Sequence, residues 1–333
     1  MFQYPHQSKE NKPATFNLGY TSTRIVFMGT PDFAVASLDA LLKAGFSIVG
    51  VITAPDKPAG RGMKMQESAV KVYARGKGLR VLQPERLKNP AFLEELRELG
   101  ADFQVVVAFR MLPELVWNMP AGGTINLHAS LLPQYRGAAP INWAIINGEK
   151  VTGLTTFKLV QEIDHGNILL QEQLQISDTE TAGELHDRMK IAGGALLVRT
   201  ISGLLDGTVK EIPQLNVVAQ GIQLKTAPKI QSETCRIDWN RPVGEVFNLV
   251  RGLSPYPGAF TTLGGKLLKI YSAEKIMGPA TVAPGILETD NRSYFRFACA
   301  DGYLAPAEVQ LEGKKKMLTG DFLRGYRLPG TMA

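Results

Sequence analysis

The sequence has 333 residues, of which 44% are apolar and 20% charged, and its formal net charge is +6. This length favours two domains, and the composition is that of a globular protein. No apolar run approaches the roughly 18 residues that a membrane span requires. The two cysteines, Cys235 and Cys299, are too few for a disulfide framework or a four-ligand zinc site. We therefore expect a protein of the reducing cytoplasm, with no membrane contact and no metal.

Residues 1–23 are polar and contain no apolar segment of signal-peptide length. A mitochondrial presequence is rich in arginine, whereas the first arginine here is Arg24. We expect a disordered leader or an upstream start, and we exclude the segment from the fold.

The residues that follow alternate between strand and helix patterns. Arg24–Met28 predicts a buried strand that ends at Gly29, and Thr30 and Pro31 are typical of a helix start. The other predicted strands are 48–52, 79–82, 103–108 and 123–127, with two further strand-like runs within 151–175. The predicted helices are 31–45, 68–77, 90–99, 113–117 and 181–205. Because the connections are too long for hairpins, we predict a doubly wound, mainly parallel α/β sheet within a domain over residues 24–206.

Residues 207–240 lack a clear period and are interpreted as a surface linker. A short helix is predicted over 243–251, and the short β-rich runs that follow predict a small β-barrel within a domain over 241–330. These runs are 259–263, 266–272, 285–288, 294–298 and 304–311. From residue 229 onward the chain has 14 Lys and Arg against 10 Asp and Glu. This excess favours a polyanionic partner, although a solvated basic surface has the same signature.

Asn126 and His128 lie two residues apart at the carboxyl end of a predicted strand, so their side chains share a face. This edge of a parallel sheet is where ligands bind. An amide and an imidazole placed there can stabilise a developing oxyanion. Asp164 follows in a glycine-containing turn, where it is either a carboxylate partner of His128 or an ordinary turn residue. The first glycine segment, Gly29–Ala34, lacks two glycines of the dinucleotide fingerprint, which argues against NAD.

The combined motifs resemble the folate-dependent formyltransferases, and within them the branch that formylates methionyl initiator tRNA. The resemblance covers residues 24–328 and rests on these segments: 27–34 (FMGTPDFA), 55–62 (PDKPAGRG), 126–133 (NLHASLLP), 136–140 (RGAAP), 164–166 (DHG) and 236–239 (RIDW). It implies a transferase that moves the formyl group of 10-formyltetrahydrofolate to the amino group of methionyl initiator tRNA for translation initiation.

The resemblance also implies roles for particular residues. Asn126, His128 and Asp164 match the catalytic residues of the family, and the tetrahydrofolate-binding stretch corresponds to Ser130, Leu131, Leu132 and Pro133. The C-terminal barrel resembles an oligonucleotide-binding fold and implies contact with tRNA. Within the irregular loop 53–66, Arg61 matches a tRNA-recognition residue, and Lys57 and Lys64 add positive charge.

Three residues depart from the family pattern: Phe109 and Arg110 replace the usual Tyr-Gly, and His165 stands where a small residue is common. Each is expected to tune the folate pocket without removing a catalytic group. The alternatives left open are a sugar-nucleotide or glycinamide-ribonucleotide formyltransferase, a formyltetrahydrofolate hydrolase and a non-catalytic RNA-binding protein. We expect a monomer.

Overall fold

The structure is a computed structural model that describes residues 20–59, 64–217, 222–328 and 331–332. The described chain divides into two compact units. The first extends to Arg136 and also contains Gly153–Leu174 and Asp187–Thr226, and the second contains Gly137–Thr152, Gln175–His186 and the chain from Ala227 onward.

Strands and helices alternate through the first two-thirds of the chain. In order they are β1 (Arg24–Gly29), α1 (Asp32–Lys43), β2 (Ser47–Ile52), β3 (Lys57–Ala59), β4 (Lys64–Gln66), α2 (Ala69–Gly76), β5 (Val81–Leu82), α3 (Pro90–Glu98), β6 (Phe103–Val107), α4 (Glu114–Trp117), β7 (Thr124–His128), β8 (Arg136–Gly137), α5 (Pro140–Ile146), β9 (Val151–Lys158), β10 (Ile168–Gln175) and α6 (Ala182–Leu205).

The main sheet has seven strands in the order β10-β9-β7-β6-β1-β2-β5. The pairs β1/β2, β1/β6, β2/β5 and β6/β7 are parallel, whereas β7/β9 is antiparallel. The prediction of a doubly wound, mainly parallel sheet is therefore confirmed. The carboxyl ends of β1, β2, β5, β6 and β7 lie at one edge, and this edge carries the candidate site.

Strands β1 and β6 are largely apolar and are buried along nearly their whole length, as is typical of strands in a sheet that is covered on both faces. In β1 the side chains of Val26 and Met28 face one cluster of buried residues, which also contains Phe92 and Leu96 of α3. Gly29 ends β1 where a Cβ atom would lie 2.6 Å from the Cβ of Ala34 and 3.0 Å from a backbone oxygen of β6. This glycine is thus required by close packing between strand and helix.

The second unit is built mainly on the C-terminal strands. The remaining elements are β11 (Thr226–Ala227), α7 (Val243–Gly252), β12 (Ala259–Leu263), β13 (Lys266–Met277), β14 (Leu287–Thr289), β15 (Phe295–Ala298), β16 (Gly302–Leu311), β17 (Met317–Leu318), α8 (Thr319–Gly325) and β18 (Thr331–Met332). Their sheet has the order β12-β13-β16-β15-β14-β18, with β17 paired to β16, and it curls into a half-barrel. The expectation of a small barrel-like β domain is confirmed.

The half-barrel encloses its own apolar core. Phe295, Phe297 and Phe322 are all at most 3% exposed, and the ring of Phe295 contacts those of the other two. Val246 and Val250 of α7 belong to the same cluster. In the part of the chain that the structure describes, no helix is both long enough and apolar enough to cross a membrane.

Candidate active site

Asn126 and His128 occupy the end of β7, where β6 pairs with it on one side and β9 on the other. Their separation by two residues puts both side chains on one face of the sheet. His128 is only 8% exposed and Asn126 is half-buried. The structure therefore brings an amide and an imidazole together at the carboxyl edge of the sheet, as predicted.

The hydrogen bonding of His128 assigns its two ring nitrogens different tasks. Nε2 lies 2.9 Å from the carbonyl oxygen of Tyr135. Because a carbonyl oxygen only accepts, Nε2 carries a hydrogen and donates it there. Nδ1 faces the carboxylate of Asp164, with 3.9 Å between Nδ1 and Oδ2. Protonation of Nδ1 therefore creates an imidazolium that faces a carboxylate.

Asp164 lies in the turn between β9 and β10, and its side chain is only 12% exposed. Its backbone has a φ of 56°, in the left-handed region that non-glycine residues rarely adopt. Tyr135, which accepts the hydrogen bond from His128, has a φ of 58°. Conformations of this kind cost about 1–3 kcal/mol each and persist where surrounding contacts impose them. Asp164 and Tyr135, which both have a positive φ, each lie beside the imidazole of His128.

The turn of Asp164 is held by two residues to which the sequence analysis gave no role. The carbonyl oxygen of Asp164 accepts hydrogen bonds from Arg136 Nε at 3.0 Å and from Gln214 Nε2 at 2.8 Å. Arg136 belongs to a quoted motif, which was the available signal. Gln214 lies within the predicted linker, and its contact spans 50 residues of sequence, so no local pattern could reveal it.

The predicted folate-binding stretch, Ser130–Pro133, is buried along its whole length. Thr155 fixes its backbone: the hydroxyl donates to the Ser130 carbonyl at 2.6 Å and accepts from Leu132 N–H at 3.1 Å. Gln171 Nε2 donates to the Leu132 carbonyl at 2.9 Å. The stretch is therefore a firmly held loop whose four side chains pack into the protein.

The loop predicted to reach tRNA, 53–66, contains a small antiparallel ladder in which β3 pairs with β4. Lys57 is exposed at the start of this ladder, and the backbone of Lys64 begins β4. Arg61 and its predicted role lie outside the described residues. The base of the loop is anchored through Asp56, whose carboxylate accepts from Lys71 Nζ at 2.5 Å and from Gln83 Nε2 at 2.8 Å.

The departure at Arg110 forms a bridge between two loops of the site edge. Its guanidinium donates to the carbonyl oxygen of Glu85 at 2.9 Å and also to that of Pro84. The group lies 5.7 Å from the ring centroid of Phe109, and burial lowers the pKa of Arg110. This arginine thus connects the chain after β6 to the chain after β5.

No group of three or more His, Cys, Asp or Glu side chains within residues 20–59, 64–217, 222–328 and 331–332 is placed to hold a metal ion. The functional groups of the candidate site are the amide of Asn126, the imidazole of His128 and the carboxylate of Asp164. Such a set can donate hydrogen bonds to a developing oxyanion and can move a proton.

Comparison with known proteins agrees with this chemistry. Residues 23–201 match the formyl transferase family, and residues 229–327 match the formyl transferase C-terminal domain. A methionyl-tRNA formyltransferase of Parabacteroides distasonis is 56% identical over 310 residues, which cover 91% of this chain and 96% of the relative. One of Bacteroides fragilis is 53% identical and covers 92% and 95%.

Solved structures show the same fold at lower identity. An N-formyltransferase from Helicobacter canadensis, in complex with folinic acid and dTDP-3-aminofucose, has a TM-score of 0.63 and 21% identity, and the match covers 89% of this chain and 100% of that one. The sugar 3N-formyl transferase WlaRD has a TM-score of 0.62 and 20% identity, with coverage of 88% and 99%. With family matches over most of its length, the chain belongs to the formyl transferase family.

Proposed function

We propose that this protein transfers the formyl group of 10-formyltetrahydrofolate to the amino group of methionyl initiator tRNA. The observation that carries the proposal is the convergence of Asn126, His128 and Asp164 at one sheet edge, in a chain more than half identical to methionyl-tRNA formyltransferases. The product is formylmethionyl-tRNA, which serves translation initiation. The protein acts in the cytoplasm, as a monomer.

The reaction transfers a formyl group from one nitrogen to another. The amine of the methionyl ester forms a bond to the formyl carbon, the bond from that carbon to the folate nitrogen breaks, and the amine's proton passes to the departing nitrogen. Asn126 and the Nδ1–H of protonated His128 donate hydrogen bonds to the oxyanion that develops on the formyl oxygen. One such donor contributes roughly 2.7–4 kcal/mol to transition-state stabilisation.

Asp164 stabilises an imidazolium on His128 by its opposite charge and orients a water that relays the amine's proton. Its carboxylate is well placed for the first task because both side chains are largely withdrawn from solvent, at 9% and 12% exposure. The folate lies beside the Ser130–Pro133 loop, whose backbone Thr155 and Gln171 hold in place.

Two basic regions contact the tRNA. The catalytic domain, residues 24–206, contributes the β3–β4 loop with Lys57, Arg61 and Lys64. The domain over 241–330, joined through the linker 207–240, contributes its C-terminal lysines. Among these, Lys316 pairs with Glu308 at 2.7 Å and lies 4.8 Å from the ring centroid of Tyr271. We therefore assign the phosphate contacts to the exposed Lys314 and Lys315.

The test is a formyl-transfer assay with charged initiator tRNA, charged elongator methionyl-tRNA, uncharged tRNA and an amino-sugar nucleotide as separate acceptors. We expect the charged initiator tRNA to have the highest kcat/KM and the uncharged tRNA to be inert. Faster formylation of the amino-sugar nucleotide would overturn the proposal in favour of a sugar-directed enzyme. Release of formate at the same rate with and without any acceptor would identify a hydrolase.

A further inference from the structure

Gln214 begins a short 3₁₀ helix, Gln214–Val217, in the segment that follows α6. Its side chain is only 4% exposed. The amide nitrogen Nε2 donates to the carbonyl oxygens of Asp164 and Gly166, each at 2.8 Å. The amide oxygen accepts from Nε of Arg136 at 3.1 Å and also from its Nη2. Both donors and both acceptor positions of the amide are therefore occupied.

These bonds act on the backbone on both sides of His165, in the turn that carries the catalytic carboxylate. The Asp164 carbonyl receives two donors, since Arg136 Nε also bonds to it at 3.0 Å. At the other end, Gly166 packs so closely against the Lys158 carbonyl that a Cβ atom has no room. The turn thus has one well-defined path, and along it Asp164 adopts its left-handed φ of 56°.

Arg136 also contacts His165, the residue between Asp164 and Gly166. Its Nη1 donates to Nε2 of His165 at 2.8 Å, while Nδ1 of that histidine donates to the Ile163 carbonyl at 2.6 Å. Burial lowers the pKa of Arg136, and the negative charges of Asp164 and Glu162 oppose that shift. His165, which departs from the family pattern, therefore accepts a hydrogen bond from Arg136, the arginine that holds the turn.

We propose that Gln214 is a positioning residue for formyl transfer: with Arg136 it holds the Asp164 turn so that the carboxylate faces Nδ1 of His128. The inference rests on the proposed function, because it assigns Asp164 a catalytic task. It makes the segment after α6 part of the catalytic machinery, whereas its sequence indicates a linker. The amide nitrogen of Gln214 donates to backbone oxygens of the turn, and its amide oxygen accepts from Arg136, so its effect reaches the reaction through Asp164.

The central experiment compares Gln214→Met and Gln214→Glu with the wild type. Methionine keeps the length of the side chain without its hydrogen bonds, and glutamate keeps an acceptor for Arg136 but loses both donors to the turn. We expect both variants to lose at least about tenfold in kcat, with KM for both substrates changed by less than about twofold. Gln104→Met is the matched control, because Gln104 is 1% exposed and its amide oxygen accepts from Thr124, away from the carboxyl end of β7.

A double-mutant cycle distinguishes positioning from a general structural role. If Gln214 acts through Asp164, Gln214→Met should change kcat by less than about twofold in an Asp164→Asn background. A full tenfold loss in that background would overturn the proposal, as would a Gln104→Met variant with an equal loss of kcat. Near-wild-type kcat in a folded Gln214→Met variant would overturn it as well.

A second readout is independent of the reaction. Amide hydrogen exchange in the peptide that contains the Asp164 turn should accelerate in Gln214→Met by at least about tenfold, while exchange in α1 stays unchanged. Unchanged exchange in the turn would show that the hydrogen bonds of Gln214 do not hold it, and would overturn the proposal. If the wild type formylates no methionyl-tRNA but the exchange result holds, the proposed function is wrong, whereas the structural role of Gln214 in holding the Asp164 turn is supported.

Discussion

Replacement of Asp164 by asparagine removes one charge from the site with little change of shape. The distance from Oδ2 to Nδ1 of His128 is 3.9 Å, and both side chains are about nine-tenths buried. Opposite charges at this distance attract by about 1 kcal/mol in water and by about 4 kcal/mol at an effective dielectric constant near 20. Burial favours the upper part of this range. We therefore expect Asp164→Asn to lower kcat by roughly 100- to 1,000-fold, at about 1.4 kcal/mol per factor of ten.

The assay is single-turnover formyl transfer at saturating 10-formyltetrahydrofolate and methionyl-tRNA, so that substrate affinity does not enter the measured rate. Asp164→Asn and His128→Ala are combined in one cycle. Because the carboxylate acts through the imidazole, the double variant should be little slower than His128→Ala alone. A loss below about fivefold for Asp164→Asn, the value for a fully solvated pair, would refute the electrostatic argument. Fully additive losses would show that the two groups act independently.

Three further predictions concern other parts of the chain. A hydrogen bond from Lys71 lowers the pKa of Asp56. Because Asp56→Asn loosens the β3–β4 loop, it should raise KM for methionyl-tRNA. Hydrolysis of 10-formyltetrahydrofolate without tRNA, measured by formate release, should stay unchanged. Burial raises the pKa of Glu288, but hydrogen bonds from Arg296 and a threonine outweigh it and the net shift is downward. This stabilisation is present above the unfolded pKa, roughly 4.3, and is lost as the pH falls through the lower folded value, so the Tm difference between wild type and Glu288→Gln should shrink below about pH 4. Burial raises the pKa of Cys299 to about 11, and its thiol should resist iodoacetamide at pH 8 until denaturant is added, as mass spectrometry of the peptides can show.

Local patterns predicted the elements that local forces determine. Helix α6 was expected over 181–205 and spans Ala182–Leu205. The strand expected at 79–82 is shorter, Val81–Leu82, because Leu79 N–H bonds to the Ala74 carbonyl and so still belongs to the end of α2. The strand expected to end at residue 272 continues to Met277, since β16 pairs with it as far as Gly302. Contacts with a neighbouring helix end or strand determined these ends, and the sequence of a single segment does not reveal such contacts.

In the candidate site too, local sequence patterns predicted some features, whereas contacts between distant residues determined the others. Asn126 and His128 were recognisable because a strand period and a turn placed them at one sheet edge. The φ of Asp164 and the hydrogen bonds that impose it were not recognisable, because they depend on contacts over 28 and 50 residues of sequence. The ladder of β3 and β4 was also missed. Each of its strands has three residues and one contains Pro58, so the strand pattern is too short to stand out.

The geometry of His128 links this local pattern to the reaction. Its Nε2–H is committed to a backbone carbonyl, so Nδ1 alone can serve both Asp164 and the developing oxyanion. An imidazole with one nitrogen available donates to an oxyanion only when that nitrogen is protonated. In the proposed mechanism the carboxylate stabilises the imidazolium that acts as this donor, and the residues that hold the carboxylate in place support the same step. On this proposal, the hydrogen bonds of Gln214 to the Asp164 turn and to Arg136 support the reaction through Asp164, and kcat is the quantity in which the loss of Gln214 should appear.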